Sequence, residues 1–525
     1  MTTSTVNKKS LAILSTILFA IVCVTTLSNL KSPEGKFKCN GKTSVQLIMI
    51  SLQQSLAFLT LLFSSEVSTE ESKWHYGIVV DAGSSGSRAY LYHWPPKSQP
   101  TDLLSIKPLM DSFRQPLVKT VTPGLSSLEK SPDKVFEYLK PLLDFASNHI
   151  PEENQAETPL FILATAGMRL IPAEKQDLIL SNLFEHISQK YSFYFPEDNL
   201  EIISGIQEGI YQWLAINYVL DKFGHNPGQN RSPTVGAIDM GGASMQIAVE
   251  VTAQDISKFS TKDKGKVVEV NFSSSHHYKL FVTTFLGYGA NEAIARYHRH
   301  LILSQLLTPS LVIRGLIPKF PYEDPCLPQG LQENVSLPID VEHLKYDLKY
   351  AALKPSQRLY LQGTGDWQKC YESLTEFVNS GEDYFQPCDK LQCPDNGIKM
   401  PPVDLEHKEI YGFSEFWYTM EDIFQMGGHY NFHQFSTAAQ AFCSRHWDNQ
   451  IYPEWQAGKY PNADLERLKT ECVKSVWISV ALHEGFSFPL DFAHLISAPN
   501  TVNSQVVHWT IGALLYRTRM FDPLK

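Results

Sequence analysis

The chain has 525 residues, 43% of them hydrophobic and 19% charged, the composition of a folded, core-forming protein with room for two or three domains. Disorder as the main state is excluded. A formal charge of -10, with 55 acidic against 45 basic residues, also excludes a protein whose work is wrapping nucleic-acid phosphates, so an anionic ligand must be held by local geometry.

In chain order, the first feature is Ser10 to Leu30, an uncharged run long enough to cross a hydrocarbon core of about 30 Å as a helix. A second uncharged run, Thr43 to Ser65, carries Gln46, Gln53 and Gln54, which makes its insertion less favourable. Lys8 and Lys9 precede the first run; Lys31, Lys36, Lys38 and Lys42 lie between the two. By the positive-inside rule, two spans put the lysine loop in the cytosol and one span puts Lys8 and Lys9 there. Both topologies place everything after Glu66 on the far side. A cleaved signal peptide is the bland alternative, although the first run exceeds the usual apolar core of about 7 to 15 residues.

After Glu71 the pattern becomes α/β, with short apolar strands at Gly77 to Val80, Leu160 to Leu163 and Val235 to Ile238 alternating with helical stretches. Each strand runs into a turn of small residues. Tyr76 to Trp94 reads YGIVVDAGSSGSRAYLYHW, and the same device recurs at Val235 to Glu250, VGAIDMGGASMQIAVE. Both are a buried strand, Asp-x-Gly with small residues, then a second strand. A glycine-rich turn lets backbone N-H groups approach an anion closely, so Gly83, Ser84, Ser85, Gly86, Ser87 and Arg88 in the first turn, and Gly241, Gly242 and Ala243 in the second, are candidate phosphate holders. Asp81 and Asp239 close their strands and would repel a phosphate. A hydrated Mg²⁺-like cation between them resolves the conflict. Each turn alone reads more readily as an ordinary glycine hairpin; the joint occurrence reverses that and favours the clamp.

Between the hairpins, Leu163 to Leu170 (LATAGMRL) ends a strand in a turn with a hydroxyl at Thr165. Ile206 to Leu220 reads as an amphipathic helix with Gln207 and Glu208 at its entrance. Glu208 has no adjacent Lys or Arg and is a candidate general base for water; a capping or solvated first-turn glutamate is the plain alternative. Ser244 and Gln246 are candidates to position that water. No P-loop, HExxH, CxxC or GxGxxG occurs.

Beyond the hairpins, sequons at Asn271 and Asn334, and a weaker one at Asn230 with Pro233 directly after its Ser232, suit an extracytoplasmic body. Six cysteines in that body suit an oxidising compartment. Sequence neighbours suggest Cys326-Cys370, Cys388-Cys393 and Cys443-Cys472, among 15 possible pairings. Phe413 to Tyr418 packs four aromatics into six residues, and strand alternation would send Phe416 and Tyr418 to one face and Trp417 to the other.

DAGSSGSR (Asp81 to Arg88), ATAGMR (Ala164 to Arg169), SGIQEGIYQWLAINY (Ser204 to Tyr218) and DMGGASMQIA (Asp239 to Ala248) resemble, in order and spacing, the first four conserved regions of the ectonucleoside triphosphate diphosphohydrolase, or apyrase, family. YGFSEFWYTMED (Tyr411 to Asp422) and VVHWTIGALLY (Val506 to Tyr516) look like its C-terminal signatures. The resemblance implies an actin-like, two-lobed RNase H-type fold, with residues 74-203 and 503-525 in one lobe and 204-502 in the other. It implies a nucleotide with Ca²⁺ or Mg²⁺ in the cleft. By that likeness Glu208 is the base, Thr165, Ser244 and Gln246 order water and phosphate, and Asp81 and Asp239 hold the hydrated metal. Base stacking comes from the C-terminal lobe, and Phe416 or Tyr418 is expected to supply it.

TFLGYGANEA, DPCLP, QGTGD and the late YRTR are similar to the Golgi and lysosomal nucleoside diphosphatases that prefer UDP. Three departures stand out. Met245 replaces a usual Thr, no apolar run follows Trp509, and the run Thr43 to Ser65 is unexpected. The expectation is a lumenal, Golgi-membrane hydrolase of UDP and GDP, with triphosphates as further substrates, that clears the UDP released by glycosylation. A cell-surface apyrase acting on ATP and ADP is the runner-up. A silent nucleotide binder is disfavoured by the complete residue set, and an actin-like kinase by the secretory topology.

Overall fold

The computed structural model describes residues 74-96, 103-223, 232-273, 276-306, 321-336, 358-380, 398, 400-405, 407-499, 501-502 and 505-518, all within one compact unit, Lys73-Lys525. The apolar runs 10-30 and 43-65, Asn230 and the Cys388-Cys393 pair lie outside the described residues. Among the described residues no helix is long and apolar enough to cross a membrane.

Two sheets form the frame. In the first, β1 (His75-Ala82) pairs antiparallel with β2 (Ser87-Trp94), which also carries the short strands β3 (Lys107-Pro108) and β4 (Val118-Val121). On its other edge β1 runs parallel to β5 (Leu160-Ala164), and β5 to β6 (Leu200-Ile202). Helices α1 (Val135-His149) and α2 (Ala173-Lys190) cover one face. β1 is buried on both faces: Ile78 and Val80 pack with α1 and α2, while Val79 packs into the layer holding α3 (Gly205-Val219). Strands covered on both sides read as near-continuous apolar runs, which is how β1 and β5 read in the sequence.

The second sheet repeats the plan. β7 (Gly236-Met240) pairs antiparallel with β8 (Ser244-Glu250), which continues into β10 (His276-Leu286) and β9 (Val267-Ser273). Parallel to β7 lies β14 (Ile410-Ser414), and parallel to β14 lies β16 (Leu495-Ser497). Ile238, Met245, Ile247 and Val249 pack beneath α4 (Ala290-Leu306), α5 (Trp367-Ser380) and α7 (Leu465-Val480). Ala237, Ala248 and Val282 face the other way, onto α3.

Helix α3 therefore lies between the sheets, and the expected amphipathic helix is in fact buried nearly all round, with Trp213, Leu214, Ala215 and Ile216 inaccessible. It begins with a capping box, in which the Ser204 side chain accepts from Gln207 N and the Gln207 side chain accepts from Ser204 N. The last helix, α8 (Trp509-Arg517), crosses it closely: a Cβ on Gly512 would collide with the Tyr211 carbonyl, so only glycine allows this approach.

Disulfides join Cys326 to Cys370 and Cys443 to Cys472, as the neighbour pairing suggested. All four cysteines are buried in the core of the second half. Closing loops with sequence separations of 44 and 29 stabilises chiefly by restricting the unfolded chain. Replacing both Cys443 and Cys472 by Ser is expected to cost about 2 to 5 kcal/mol, read as a lowered urea midpoint with a steeper slope, because the unfolded chain without the crosslink exposes more surface.

Candidate active site

The two hairpins share one pairing register. Asp81 pairs with Arg88 across β1 and β2, Asp239 pairs with Gln246 across β7 and β8, and each partner stands seven residues after its aspartate. The turns face each other at close range: a Cβ on Gly242 would lie 2.7 Å from Ser84 Oγ, so a side chain there would wedge the hairpins apart. Between them is a cleft of about 450 Å³, lined by Asp81, Gly83, Ser84, Ser85 and Arg88 from one half and Asp239, Gly241 and Gly242 from the other. Thr165 and Glu208 also line it.

Three predicted phosphate holders do not line this cleft. Gly86 is buried in the turn, where its carbonyl accepts from Gly83 N at 3.0 Å. Ser87 is inaccessible and accepts from the Tyr138 hydroxyl at 3.1 Å, because the first residue of β2 turns its side chain inward. Ala243 is buried, and its carbonyl accepts from Gly287 N at 2.8 Å. These three shape the turns from behind.

Glu208 is 9% exposed and is neither a solvated glutamate nor a cap, since Gln207 fills the capping position. Its Oε2 accepts from Arg169 Nη2 at 2.5 Å and from Gln246 Nε2 at 3.2 Å. Gln246 Nε2 also donates to Ser244 Oγ at 2.5 Å, and Arg169 Nη2 reaches that hydroxyl at 3.4 Å. Thus β8 delivers Ser244 and Gln246 to one face, while Met245, between them, goes into the core on the other and does not line the cleft. Among the described residues no group bonds Glu208 Oε1.

Three carboxyls converge here. Burial raises Glu208 above its ordinary range, opposed by Arg169. Burial pushes Asp81 up to about 7, with Arg88 lowering it and the charges of Glu208 and Asp239 adding to the rise. Asp239 is also pushed up to about 7 by burial, partly offset by a hydrogen bond from Ser414, and its Oδ1 has no partner among the described residues. Two buried carboxylates on opposing turns, one of them with an oxygen that has no partner among the described residues, fit a hydrated divalent cation that takes few protein ligands. No cluster of three or more metal-binding side chains occurs among the described residues.

Sequence reasoning missed several cleft residues. Arg169 closes the quoted ATAGMR segment, but only the fold shows it meeting Glu208, a residue without basic neighbours in sequence. Asn291, at the start of α4, donates its backbone N-H to Gly242 O at 2.9 Å and so braces the second turn. His508 stacks on Tyr90 at 4.4 Å and lies 3.6 Å from Asp81 Oδ2. It is not an ion-pair partner, because burial and the Arg88 charge hold the imidazole down to about 3, hence neutral.

The aromatic segment departs from the strand reading. β14 ends at Ser414, whose φ of 58° turns the chain, and residues 415-423 are helical. Phe416 and Tyr418 consequently do not share a strand face. Phe416 is 0% exposed in the core against Gly412, which removes it as a base-stacking candidate, whereas Tyr418 lines the cleft.

The Arg169 pair carries a pH signature. Replacing Arg169 by Met removes the charge that holds the Glu208 carboxyl down, so this group must lose its proton at higher pH. A base works only when ionised, so the acid limb of kcat/KM against pH should move upward, and an unmoved limb would separate Arg169 from Glu208 function.

The GDA1/CD39 (nucleoside phosphatase) family model matches residues 67-525. Ectonucleoside triphosphate diphosphohydrolase 4 of Mus musculus is 39% identical over 488 residues, covering 87% of this chain and 75% of that protein. Nucleoside-diphosphatase mig-23 of Caenorhabditis elegans is 35% identical over 509 residues, covering 92% and 86%. Among solved structures, the nucleoside triphosphate hydrolases of Neospora caninum share the fold with a TM-score of 0.58 at 17% identity, covering 90% of this chain and 97% of that one.

Proposed function

Because the chain belongs to the GDA1/CD39 (nucleoside phosphatase) family and is a phosphoanhydride hydrolase, we propose that it removes the terminal phosphate of nucleoside diphosphates, UDP and GDP foremost, in the Golgi lumen with Ca²⁺ or Mg²⁺. The observation that carries the catalytic part is Glu208, buried at the cleft, anchored through Oε2 and unbonded at Oε1. Water enters beside Oε1, with the Ser244 hydroxyl and Gln246 amide orienting it. Glu208 takes its proton as the oxygen attacks the terminal phosphorus. The phosphoanhydride bond breaks, giving nucleoside monophosphate and phosphate. Backbone N-H groups of the two turns and the hydroxyls of Ser84, Ser85 and Thr165 hold the phosphate chain. Asp81 and Asp239 would hold the divalent cation, which when bound would neutralise charge at the phosphates.

Phosphate release by the purified body across a nucleotide panel tests the chemistry; no release from any diphosphate rules the reading out. Perinuclear Golgi staining supports the lumenal assignment, and plasma-membrane staining points instead to a cell-surface apyrase. Asn271 and Asn334 are both exposed, on β9 and on β12 (Gln332-Ser336). Glycosidase treatment of protein from a eukaryotic secretory host is expected to increase gel mobility by two glycan steps, and no shift together with six free thiols under denaturation would place the body in the cytosol.

A further inference from the structure

Of the cleft residues that the hydrolytic steps leave unassigned, Glu415 is paired with Lys474 at 3.3 Å, whereas His508 approaches one of the two cation-holding aspartates. His508 is the N-cap of α8, and its imidazole stands where a capping oxygen usually does: Nδ1 accepts from Thr510 N at 3.4 Å. The Thr510 hydroxyl lies 3.0 Å from the same nitrogen and 2.7 Å from the Tyr92 hydroxyl, and Tyr92 and Thr510 are both buried. Tyr90 stacks on the imidazole with ring centroids 4.4 Å apart, which fixes the plane of the ring.

These contacts decide the tautomer. A backbone N-H can only donate, so the nitrogen it points at offers a lone pair and carries no proton. Thr510 therefore donates its hydroxyl to Nδ1 and accepts from Tyr92. In the neutral ring the proton is then on Nε2, which is the atom directed at Asp81, 3.6 Å from Oδ2. At that distance the contact is electrostatic and longer than a hydrogen bond. Arg88 Nη1 approaches the same oxygen at 3.8 Å, whereas Oδ1 lies toward the glycine turn, where a Cβ on Gly83 would come within 3.6 Å of it. Positive groups thus gather at Oδ2 and leave Oδ1 to the cleft. Glu208 shows the same division, with Oε2 anchored by Arg169 and Gln246.

We propose that His508 is a positioning residue for Asp81: the series Tyr92, Thr510, His508 sets an Nε2-H against Oδ2 and keeps Oδ1 available to a hydrated divalent cation. Groups of this kind behind a ligating carboxylate fix its orientation, and their loss costs about 10- to 100-fold in metal affinity. Asp239 takes its support from Ser414 instead. The role of His508 rests on the divalent-cation reading of the two aspartates and adds the group that aims one of them.

The test separates the two ring nitrogens. An asparagine side chain reaches as far as Nδ1 and a glutamine side chain as far as Nε2, so His508→Asn keeps the helix cap and loses the contact with Asp81, while His508→Gln does the reverse. Ca²⁺ is titrated by calorimetry into the full-length protein and both variants in the presence of a methylene-bridged UDP analogue, which makes the readout independent of turnover. His508→Asn is expected to weaken Ca²⁺ binding by about tenfold or more with Tm close to wild type. His508→Gln is expected to hold Ca²⁺ within about threefold of wild type while its Tm falls, through loss of the cap. Affinity and stability then rank the two variants in opposite order. Wild-type Ca²⁺ affinity in His508→Asn overturns the proposal, and so does an affinity that follows Tm in both variants, which makes His508 a cap and nothing more. If His508→Asn does not fold, His508→Gln decides alone: retained affinity upholds the role and a tenfold loss overturns it. Wild type that binds no Ca²⁺ removes the divalent-cation reading as well, whereas Ca²⁺ bound equally by wild type and His508→Asn removes the role of His508 alone.

Discussion

Glu208→Gln is expected to lower kcat by about 100-fold or more while nucleotide affinity stays near wild type. The substitution keeps the volume and lets the side-chain carbonyl still accept from Arg169 and Gln246, whose bonds to Oε2 fix the residue. What disappears is the capacity to take a proton from water at Oε1, which no group among the described residues engages. Loss should therefore fall on kcat, with KM for UDP changed little and the melting temperature close to wild type. Near-normal turnover would move the base elsewhere. A collapse in Tm would instead make Glu208 a structural partner for the buried Arg169.

Chelation is the second large effect. EDTA should abolish phosphate release, and Ca²⁺ or Mg²⁺ should restore it. Asp81 and Asp239 sit on opposing turns of one cleft, buried, with Asp239 Oδ1 unsatisfied and with the hairpins brought to close range at Gly242 and Ser84. A polyphosphate entering that space adds negative charge where two carboxyls already resist ionisation. Asp239→Asn should leave turnover dependent on a cation but raise the concentration needed by about tenfold or more, as loss of a supporting ligand group does. Full activity after dialysis against EDTA would exclude the role given to both aspartates.

The site was legible in the sequence wherever its chemistry is local. Asp81 with its glycine turn, and Asp239 with its own, are contiguous motifs whose repetition announced a clamp, and Thr165 and Glu208 follow strand ends within a few residues. Arg169 was not legible as a partner, because its contact with Glu208 joins a turn after β5 to the entrance of α3. The Phe416 error has a similar origin. Period-two alternation applies only while the strand lasts, and a single positive φ at Ser414 ends it three residues before Trp417. Burial of α3 on all sides could not be read from its own polar residues, since Gln212 and Asn217 are buried too, Asn217 bonding Val235 N-H and O across the layer. The two disulfides described followed sequence proximity, which succeeds when both cysteines belong to one half of the fold.

The repeated register of the two sheets has one more consequence. β5 lies beside β1 as β14 lies beside β7: Leu163 pairs with Asp81 and Phe413 with Asp239. Two residues on, the first half offers Thr165 and the second Glu415. These equivalent positions have diverged in vocation, one a small hydroxyl suited to phosphate, the other a carboxylate committed to Lys474. A nucleotide has unlike ends, anionic at one and flat and heterocyclic at the other, and a frame of two like halves can seat it only by breaking its own symmetry. The break is economical, because the strands, their order and their turns stay matched while single side chains at matched strand ends differ. The groups assigned to hydrolysis are themselves drawn from both halves, Asp81 and Thr165 from the first and Glu208 and Asp239 from the second, so neither half makes the cleft alone.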